Sequence, residues 1–482
     1  MGVLDNLEPK RVFYYFEEIS KIPHGSGNTD AMSDFVVNFA KEKKLKHRRD
    51  EKGNVLIVKD ASAGYEASDS VMLQGHMDMV CEKNSDAVFD FKKDPLKLCV
   101  MDDCIFARGT TLGGDDAIAV AYMLALLEDD ELEAPRLECV FTVDEEIGMG
   151  GAKAFDVSDI RAKTLINLDH EDEGLFLTSC AGGLRAQLTV PVRFKEKAGE
   201  KYTIVVCGLK GGHSGTEIHK YLANANILIG RLMHYLGTRV KYSVISLGGG
   251  MQDNAIPREA SMDVLVQEED ISNFEDIIDE FQDIIRNEYR SLEKNIQIYC
   301  NDKGLTACQA LTQKTQERVI FLLNTMPDGV QKMSPDIHDL VQTSLNLGII
   351  RLDSKQFKAT SALRSSVKSE IDALSDKLRY LTETIGGTYE EHGEYPAWEY
   401  NPDSRVQKLV KETYDRLFDE EGTLTGVHAG LECGIFARKL PGIDIVAFGP
   451  DVLHIHSPKE RMSVPSTERV YRLLRELLKV LK

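Results

Sequence analysis

The chain has 482 residues, more than one compact core usually supports, so we expect at least two domains. Its 42% hydrophobic and 28% charged residues are typical of a globular protein. The formal net charge of −20 argues against binding to nucleic acids or anionic membranes, because both require clustered basic surface.

The nine cysteines form no C-x-x-C pair, and several lie inside apolar runs. This pattern favours free thiols in a reducing compartment over a disulfide framework. The N-terminal residues have an amphipathic helical pattern without the apolar region of a signal peptide, and no run approaches the ~18 apolar residues of a membrane span. We therefore expect a cytoplasmic protein.

Helix and strand patterns alternate over about the first 180 residues. The predicted helices are 8–20, 29–43 and 115–128, and the predicted strands are Val55–Val58, Val71–Leu73, Leu137–Val143 and Thr164–Leu168. This alternation predicts an α/β domain with a mixed, mainly parallel sheet flanked by helices. Ligands collect at the carboxyl ends of the strands in such a sheet.

The pattern changes near residue 185, where sets of strands begin to alternate with single long helices. The predicted strands are 184–194, 201–207, 241–247, 259–267, 345–351 and 358–365, and the predicted helices are 217–236, 272–290 and 367–385. This order predicts an inserted α+β domain built from about two split β-α-β units.

The first pattern returns after the single tryptophan, Trp398. It predicts helices at 403–418 and 465–481 and a strand at 443–448. We therefore expect one domain to contain residues 1–184 and 398–482, with a second, inserted domain at 185–397.

Five short segments place acidic or imidazole side chains after apolar runs or in glycine-rich loops. They are Gly75-His76-Met77-Asp78, Gly113-Gly114-Asp115-Asp116, Asp144-Glu145-Glu146, Asn167-Leu168-Asp169 and His456-Ser457-Pro458. Each alone has an ordinary explanation, such as a capped helix or a solvated acidic turn. Together their carboxylates could not all stay ionised without cations. Two divalent metal ions would neutralise them and create a hydrolytic centre.

The spacing within three of these segments suggests separate tasks. His76 and Asp78 lie on one face of an extended strand end, so Asp78 can orient a metal-binding His76. In Gly113-Gly114-Asp115-Asp116 one aspartate can cap the following helix, and the two oxygens of a carboxylate at this position can each serve one ion. The adjacent Glu145 and Glu146 point to different sides, so one can bind metal while the other acts as general base.

The last two segments are weaker alone. Asp169 ends a predicted strand, and His456 has a neighbouring alternative in His454. With these residues each ion has one imidazole and one terminal carboxylate. Such a nitrogen and oxygen set suits zinc, with manganese or cobalt as substitutes.

The motifs resemble, in order and over essentially the whole chain, the co-catalytic zinc peptidases related to carboxypeptidase G, aminoacylase and carnosinase. Thr-Leu-Gly-Gly-Asp-Asp-Ala-Ile-Ala, Asn-Ala-Ile-Pro-Arg-Glu and His-Ala-Gly-Leu-Glu-Cys-Gly are similar to the aminoacyl-histidine dipeptidases of that family. The resemblance also implies a cis peptide bond between Asp115 and Asp116.

The resemblance implies the metal ligands and the catalytic residues. The assignment is His76 and Asp169 on one zinc, Glu146 and His456 on the other, Asp115 bridging both, Glu145 as general base and Asp78 as the residue that orients His76. It gives no role to Asp116 or Glu432.

The resemblance also implies substrate-binding residues. His213 would contact the scissile carbonyl or its oxyanion, although a histidine in a glycine loop is otherwise explained as a polar turn residue. Asn254 and Arg364 would bind the substrate backbone and its terminal carboxylate, which a guanidinium fork matches with two hydrogen bonds. The backbone around Gly430 would contribute to the same pocket.

The implied activity is hydrolysis of Xaa-His and other unblocked, carnosine-like dipeptides by a two-zinc, water-activated mechanism. The partner is then a small peptide substrate, and the oligomeric state is open, with a homodimer slightly favoured over a monomer. An N-acyl amino-acid deacylase or a tripeptidase on the same scaffold is the nearer alternative. A non-catalytic binding protein is the more distant one.

Overall fold

The computed structural model describes residues 2–482, which contain eleven α-helices and 23 strands. The helices are α1 (Lys10–Ser20), α2 (Asp30–Glu42), α3 (Gly114–Glu128), α4 (Gly150–Ala154), α5 (Ala225–Gly237), α6 (Ile271–Glu288), α7 (Gln313–Thr325), α8 (Lys368–Thr384), α9 (Arg405–Phe418), α10 (Glu432–Lys439) and α11 (Val464–Val480). None of these helices is both long enough and apolar enough to span a bilayer.

The strands are β1 (Lys46–Arg49), β2 (Val55–Lys59), β3 (Val71–His76), β4 (Leu98–Met101), β5 (Cys104–Ala107), β6 (Leu137–Thr142), β7 (Thr164–Asn167), β8 (Leu175–Cys180), β9 (Gly182–Pro191), β10 (Phe194–Cys207), β11 (Gly212–His213), β12 (Tyr242–Gly249), β13 (Ala255–Ile256), β14 (Ala260–Val266), β15 (Gln297–Leu311), β16 (Gly329–Met333), β17 (Val341–Leu352), β18 (Gln356–Ser365), β19 (Thr388–Tyr395), β20 (Thr423–Val427), β21 (Asp444–Ala447), β22 (Val452–Leu453) and β23 (Arg461–Ser463).

The chain divides into two units, each with its own hydrophobic core. The first contains the chain up to Cys180, Trp398–Gly426 and Leu431–Lys482. The second contains Ala181–Ala397 and Val427–Gly430.

The first unit is built on an eight-stranded sheet in the order β1-β2-β6-β3-β7-β21-β8-β20. The neighbours β6, β3, β7 and β21 pair in parallel, whereas β1 with β2, β2 with β6, and β21 with β8 are antiparallel. Every residue of β3 and β6 is buried, as expected for parallel strands covered on both faces. The predicted mixed α/β fold is confirmed, and parallel pairing is confined to its centre.

The parallel centre determines where the acidic segments lie. Because β3, β6 and β7 are parallel neighbours, their carboxyl ends meet at one edge of the sheet. His76 is the last residue of β3, Glu145 follows β6 by three residues, and Asp169 follows β7 by two. Three distant parts of the sequence therefore converge at that edge.

The second unit is built on a nine-stranded sheet, and its recorded strand pairings are antiparallel. The helix predicted at 217–236 begins only at Ala225, because the Asn224 side chain accepts the N–H groups of Asn226 and Ile227 and starts the helix there. The long strand Gln297–Leu311 and the helix Gln313–Thr325 have no counterpart among the predicted elements.

The limits of the second unit differ from the predicted 185–397. Gly182 already pairs with Ser365, so the second sheet starts just after Cys180. The segment Val427–Gly430 also belongs to the second unit, although it was predicted in the first. The N–H of Ala181 donates to the carbonyl oxygens of Val427 and Ala429 at 3.1 and 3.0 Å, which explains the difference.

Candidate active site

Asp115 lies between two imidazoles in the first unit. Its Oδ1 is 2.9 Å from His76 Nε2, and its Oδ2 is 3.1 Å from His456 Nε2. The same nitrogen of His456 is 3.1 Å from Glu146 Oε1, and His76 Nε2 is 3.7 Å from Asp169 Oδ1. The structure therefore brings these five predicted residues into one cluster, and the Asp115–Asp116 peptide bond is cis.

Four overlapping sets of side chains in this cluster offer ligand atoms within 4.8 Å of one another. They are His76–Asp116–Asp169, His76–Glu145–Glu146, Asp115–Glu146–His456 and Asp115–Asp169–Glu171. Imidazole nitrogens and carboxylate oxygens are the ligands of zinc and related divalent ions, so the donor set fits a pair of such cations.

Two members of these sets, Asp116 and Glu171, have no predicted role as ligands. Asp116 also receives the N–H of His76 on Oδ2 at 3.1 Å, so it holds the end of β3. The sequence signal for Glu171 is its place in the acidic run that follows Asp169.

The charges in the cluster are unequal. Burial raises the pKa of Asp169 well above its usual range. Burial also acts to raise the pKa of Asp115, but hydrogen bonds to His456 and His76 outweigh it and hold that pKa below its usual range. Hydrogen bonds to Asp115 and Glu146 raise the pKa of His456 to about 10. Two imidazoles thus offset part of the negative charge, and bound cations would offset the rest.

Asp78 contacts His76 differently from the prediction. The Nδ1 of His76 is 3.0 Å from the carbonyl oxygen of Asp78 and 3.5 Å from its carboxylate. The carboxylate accepts instead from Ser26 Oγ at 2.8 Å and from the N–H groups of Glu145 and Glu146 at 3.0 and 3.3 Å. Asp78 therefore fixes both the ring of His76 and the backbone of the two glutamates.

The surroundings of Glu145 raise the proton affinity of its carboxylate. Burial raises its pKa to about 8, and the neighbouring carboxylates Glu432 and Glu146 act in the same direction, against His76. A carboxyl group with a pKa close to neutrality is suited to accepting and returning a proton.

Glu432, which had no predicted role, is fully buried at the start of α10. Its Oε2 accepts from Gln74 Nε2 at 2.5 Å and from Thr142 Oγ1 at 2.6 Å. Gln74 in turn accepts from Asn167 Nδ2 at 2.7 Å. One carboxylate therefore connects β3, β6 and β7 just before the segments that carry His76, Glu145 and Asp169.

In the second unit, the surroundings of His213 determine its tautomer. Nδ1 accepts from the N–H groups of Gly215 and Thr216 at 3.3 and 3.1 Å, so the ring proton lies on Nε2. Burial and then the charge of Arg364 lower the pKa of His213. The residue is thus a neutral imidazole that can donate from Nε2.

Arg364 is 7% exposed, and its Nη1 donates to the hydroxyl of Tyr395 at 2.8 Å. Its Nε has no hydrogen-bond partner in residues 2–482. A Cβ on Gly215 would lie 2.6 Å from the carbonyl oxygen of His428 and 3.2 Å from Arg364 Cζ, so only glycine fits there. The second unit therefore gathers an imidazole donor and a guanidinium around one glycine.

Asn254 and Gly430 lie in segments that contact this group. The carbonyl oxygen of Asn254 accepts from the N–H of Ser214, next to His213, at 2.8 Å. Gly430 ends the segment whose His428 Nε2 is 2.7 Å from Ser344 Oγ. The structure places all four predicted substrate-binding residues in the second unit.

Residues 72–480 match the model of peptidase family M20/M25/M40. The chain is 38% identical over 485 aligned residues to the cytosol non-specific dipeptidase of Escherichia coli (strain K12), which covers 99% of both proteins. The crystal structure of aminoacylhistidine dipeptidase from Vibrio alginolyticus superposes with a TM-score of 0.93 at 32% identity, covering 99% of this chain and 98% of that one. A Staphylococcus aureus tripeptidase shares the fold, with a TM-score of 0.55 at 16% identity and coverage of 98% and 99%. The resemblance found in the motifs is confirmed, and the chain belongs to peptidase family M20/M25/M40.

Proposed function

We propose that this chain is a metal-dependent dipeptidase that hydrolyses Xaa-His and other unblocked dipeptides. The observation that carries the proposal is Asp115, whose two carboxylate oxygens each face a different imidazole at 2.9 and 3.1 Å. The names of the two similar dipeptidases, each of which aligns over nearly its whole length, support the substrate class.

In this proposal His76 and Asp169 would hold one cation, Glu146 and His456 would hold the other, and Asp115 would be shared by both. Zinc suits this set, and manganese or cobalt can replace it. When bound, the two ions would lower the pKa of water and polarise the scissile carbonyl.

The ionised carboxylate of Glu145 accepts a proton from the attacking water, and burial, which raises its pKa to about 8, makes that carboxylate a stronger base than an exposed one. The oxygen of that water adds to the carbonyl carbon, the C–N bond breaks, and Glu145 returns the proton to the departing amine. Asp78 holds the N–H of Glu145 at 3.0 Å and so keeps the base in place.

Four further residues would bind the substrate. The Nε2–H of His213 donates to the carbonyl oxygen as negative charge develops on it. The guanidinium of Arg364 binds the C-terminal carboxylate with two hydrogen bonds and so limits the substrate length. Asn254 and the backbone around Gly430 bind the peptide main chain.

Steady-state kinetics on three substrate classes test the activity. We expect turnover of Xaa-His dipeptides and much slower turnover of tripeptides and N-acetyl amino acids. Turnover confined to N-acetyl amino acids would make the chain a deacylase, and a preference for tripeptides would make it a tripeptidase. Absence of turnover in the zinc-loaded protein would identify a binding protein.

Metal analysis tests the cofactor. We expect two equivalents of zinc per chain, loss of activity on chelation, and recovery when zinc is restored. A stoichiometry of one would contradict the role of Asp115 as a shared ligand.

We extend the proposal to the location and to the assembly. The name of the Escherichia coli relative and the free cysteines of this chain support a cytoplasmic location. For the assembly we favour a homodimer over a monomer. The mass of the native protein in solution tests this, and a monomer under the assay conditions would contradict it.

A further inference from the structure

Glu460 is a buried carboxylate that is neither a predicted ligand nor a predicted catalytic residue. It is 3% exposed and follows His456 by four residues. Its recorded side-chain partners in residues 2–482 are backbone N–H groups only. Oε2 accepts from Leu112 and Gly113 at 2.7 and 3.1 Å, and Oε1 accepts from Gly114 at 2.7 Å.

These N–H groups belong to the loop that carries Asp115 into the active site. The N–H of Asp115 itself lies 3.5 Å from Oε1, at the outer limit of a hydrogen bond. The loop turns at Gly113, whose φ of 69° favours glycine, and α3 begins at Gly114. Glu460 thus satisfies buried backbone N–H groups of a loop that is not yet helical, since Asp115 and Asp116, which follow it, still have non-helical backbone angles.

Glu460 therefore connects the two chain segments that carry Asp115 and His456. Glu460 accepts the N–H groups of the three residues that directly precede Asp115. His456 precedes Glu460 by four residues along the chain. The contact between the two segments joins Asp115 Oδ2 to His456 Nε2 at 3.1 Å. Movement of either segment would change the distance between two ligands of the same cation.

We propose that Glu460 is a positioning residue of the metal centre, which holds Asp115 and His456 at the spacing that binds a cation. The proposal rests on the ligand assignment given under the proposed function. Residues that orient metal ligands typically change metal affinity by about 10- to 100-fold when they are altered.

The test uses Glu460→Gln in the full-length protein. The amide nitrogen is a donor and would face backbone N–H donors, so at least one of these hydrogen bonds is lost while the side-chain volume is kept. Zinc affinity is measured by competition with a chelating dye, and the thermal midpoint of the metal-free protein is measured in parallel. We expect one of the two zinc equivalents to bind about 10- to 100-fold more weakly.

Glu138→Gln is the matched control. Glu138 is also a fully buried carboxylate of the first unit, and its Oε2 accepts the N–H groups of Arg161 and Ala162 at 2.8 and 3.0 Å. It lies near the start of β6, away from the strand end that leads to Glu145. We expect this variant to lower the metal-free thermal midpoint without changing zinc affinity.

The outcomes separate this inference from the proposed function. If the wild-type protein binds no zinc, the ligand assignment itself fails. If it binds two equivalents and Glu460→Gln binds them equally tightly, only the role of Glu460 is overturned. Equal losses of zinc affinity in Glu460→Gln and Glu138→Gln would also overturn it, because the effect would then be general destabilisation. Should Glu460→Gln fail to fold, Glu460→Asp keeps the charge but withdraws it from the loop, and zinc affinity should again fall for one equivalent.

Discussion

Two adjacent glutamates after β6 have different surroundings, although both are carboxylates at the edge of one sheet. Glu146 Oε1 lies 3.1 Å from His456 Nε2, within the ligand cluster. Glu145 is held through its backbone N–H by Asp78, and its carboxyl group has a pKa of about 8. The two residues lie at the start of a turn, in which the carbonyl oxygen of Glu145 accepts from the N–H of Gly148 at 2.8 Å. Their different partners allow the pair to separate metal binding from proton transfer.

We expect Glu145→Ala to lower kcat by about 10²- to 10⁴-fold, the usual contribution of a general base. The zinc content should stay at the wild-type value, because Glu145 is not an assigned ligand. Initial rates on an Xaa-His dipeptide and metal analysis of the same sample provide the measurement. Glu146→Ala is the comparison, and it should lose zinc as well as activity. A Glu145→Ala enzyme that binds zinc and keeps wild-type kcat would refute the assignment.

Arg364→Lys should raise KM by about 10-fold or more and change kcat less, because a single ammonium replaces a two-pronged contact with the substrate carboxylate. The lysine also loses the geometry that lets Nη1 donate to Tyr395. Steady-state kinetics separate the two constants. Arg290→Lys, at an exposed arginine of the same unit, should leave both unchanged. A loss confined to kcat would argue against carboxylate binding by Arg364.

At the scale of elements, regular strand patterns predicted the first unit well. Val71–His76 and Leu137–Thr142 are continuous buried runs, so their ends and the acidic segments after them could be located from the sequence. The second unit was harder to predict, because β15 alternates exposed and intermediate positions over most of its length and so lacks a continuous buried run.

Contacts between distant segments could not be predicted from the sequence, for a different reason. Glu460 and the loop before α3 are about 345 residues apart, and only folding brings the carboxylate to those N–H groups. Glu432 likewise looks like an ordinary charged residue at the start of a short helix until its contacts with Gln74 and Thr142 are known. The side chains that would bind metal could be named from local motifs, whereas those that support them could not.

Asn224→Ala should destabilise the second unit by about 1–3 kcal/mol, because the helix cap and a buried hydrogen bond are lost together. The Asn224 side chain caps α5, and its Nδ2 donates to the carbonyl oxygen of Leu347 at 3.2 Å. Urea denaturation followed by circular dichroism measures the loss. Asn224→Ser keeps a capping oxygen and should recover part of the stability. Equal stability of all three proteins would show that the cap contributes nothing measurable.

At the scale of the whole molecule, acids screened from solvent occur in both units, and within residues 2–482 the sets of possible metal ligands lie in the first. The first unit gathers its carboxylates around two imidazoles, where cations can neutralise them. The second contains Asp328, whose recorded partners in the described chain are neutral donors. The stability of the first unit should therefore depend on bound cations, whereas Asp328 should make the stability of the second unit depend on pH.

Stability should fall as pH rises through the titration of Asp328. Burial raises its pKa to about 7, so between its ordinary value of 3.8 and about 7 the folded state holds a proton that the unfolded state has released. The stability present at low pH is therefore lost by about pH 7, and the loss is on the order of 3 kcal/mol between pH 5 and pH 7.5.

Asp328→Asn keeps an oxygen for the N–H of Leu347, 2.7 Å away, and removes the charge. Urea denaturation at both pH values gives the free energy of unfolding. Relative to the wild type, Asp328→Asn should become more stable as the pH rises, whereas the exposed Asp336→Asn should show the same pH dependence as the wild type. A constant difference between Asp328→Asn and the wild type at the two pH values would mean that Asp328 does not titrate in this range.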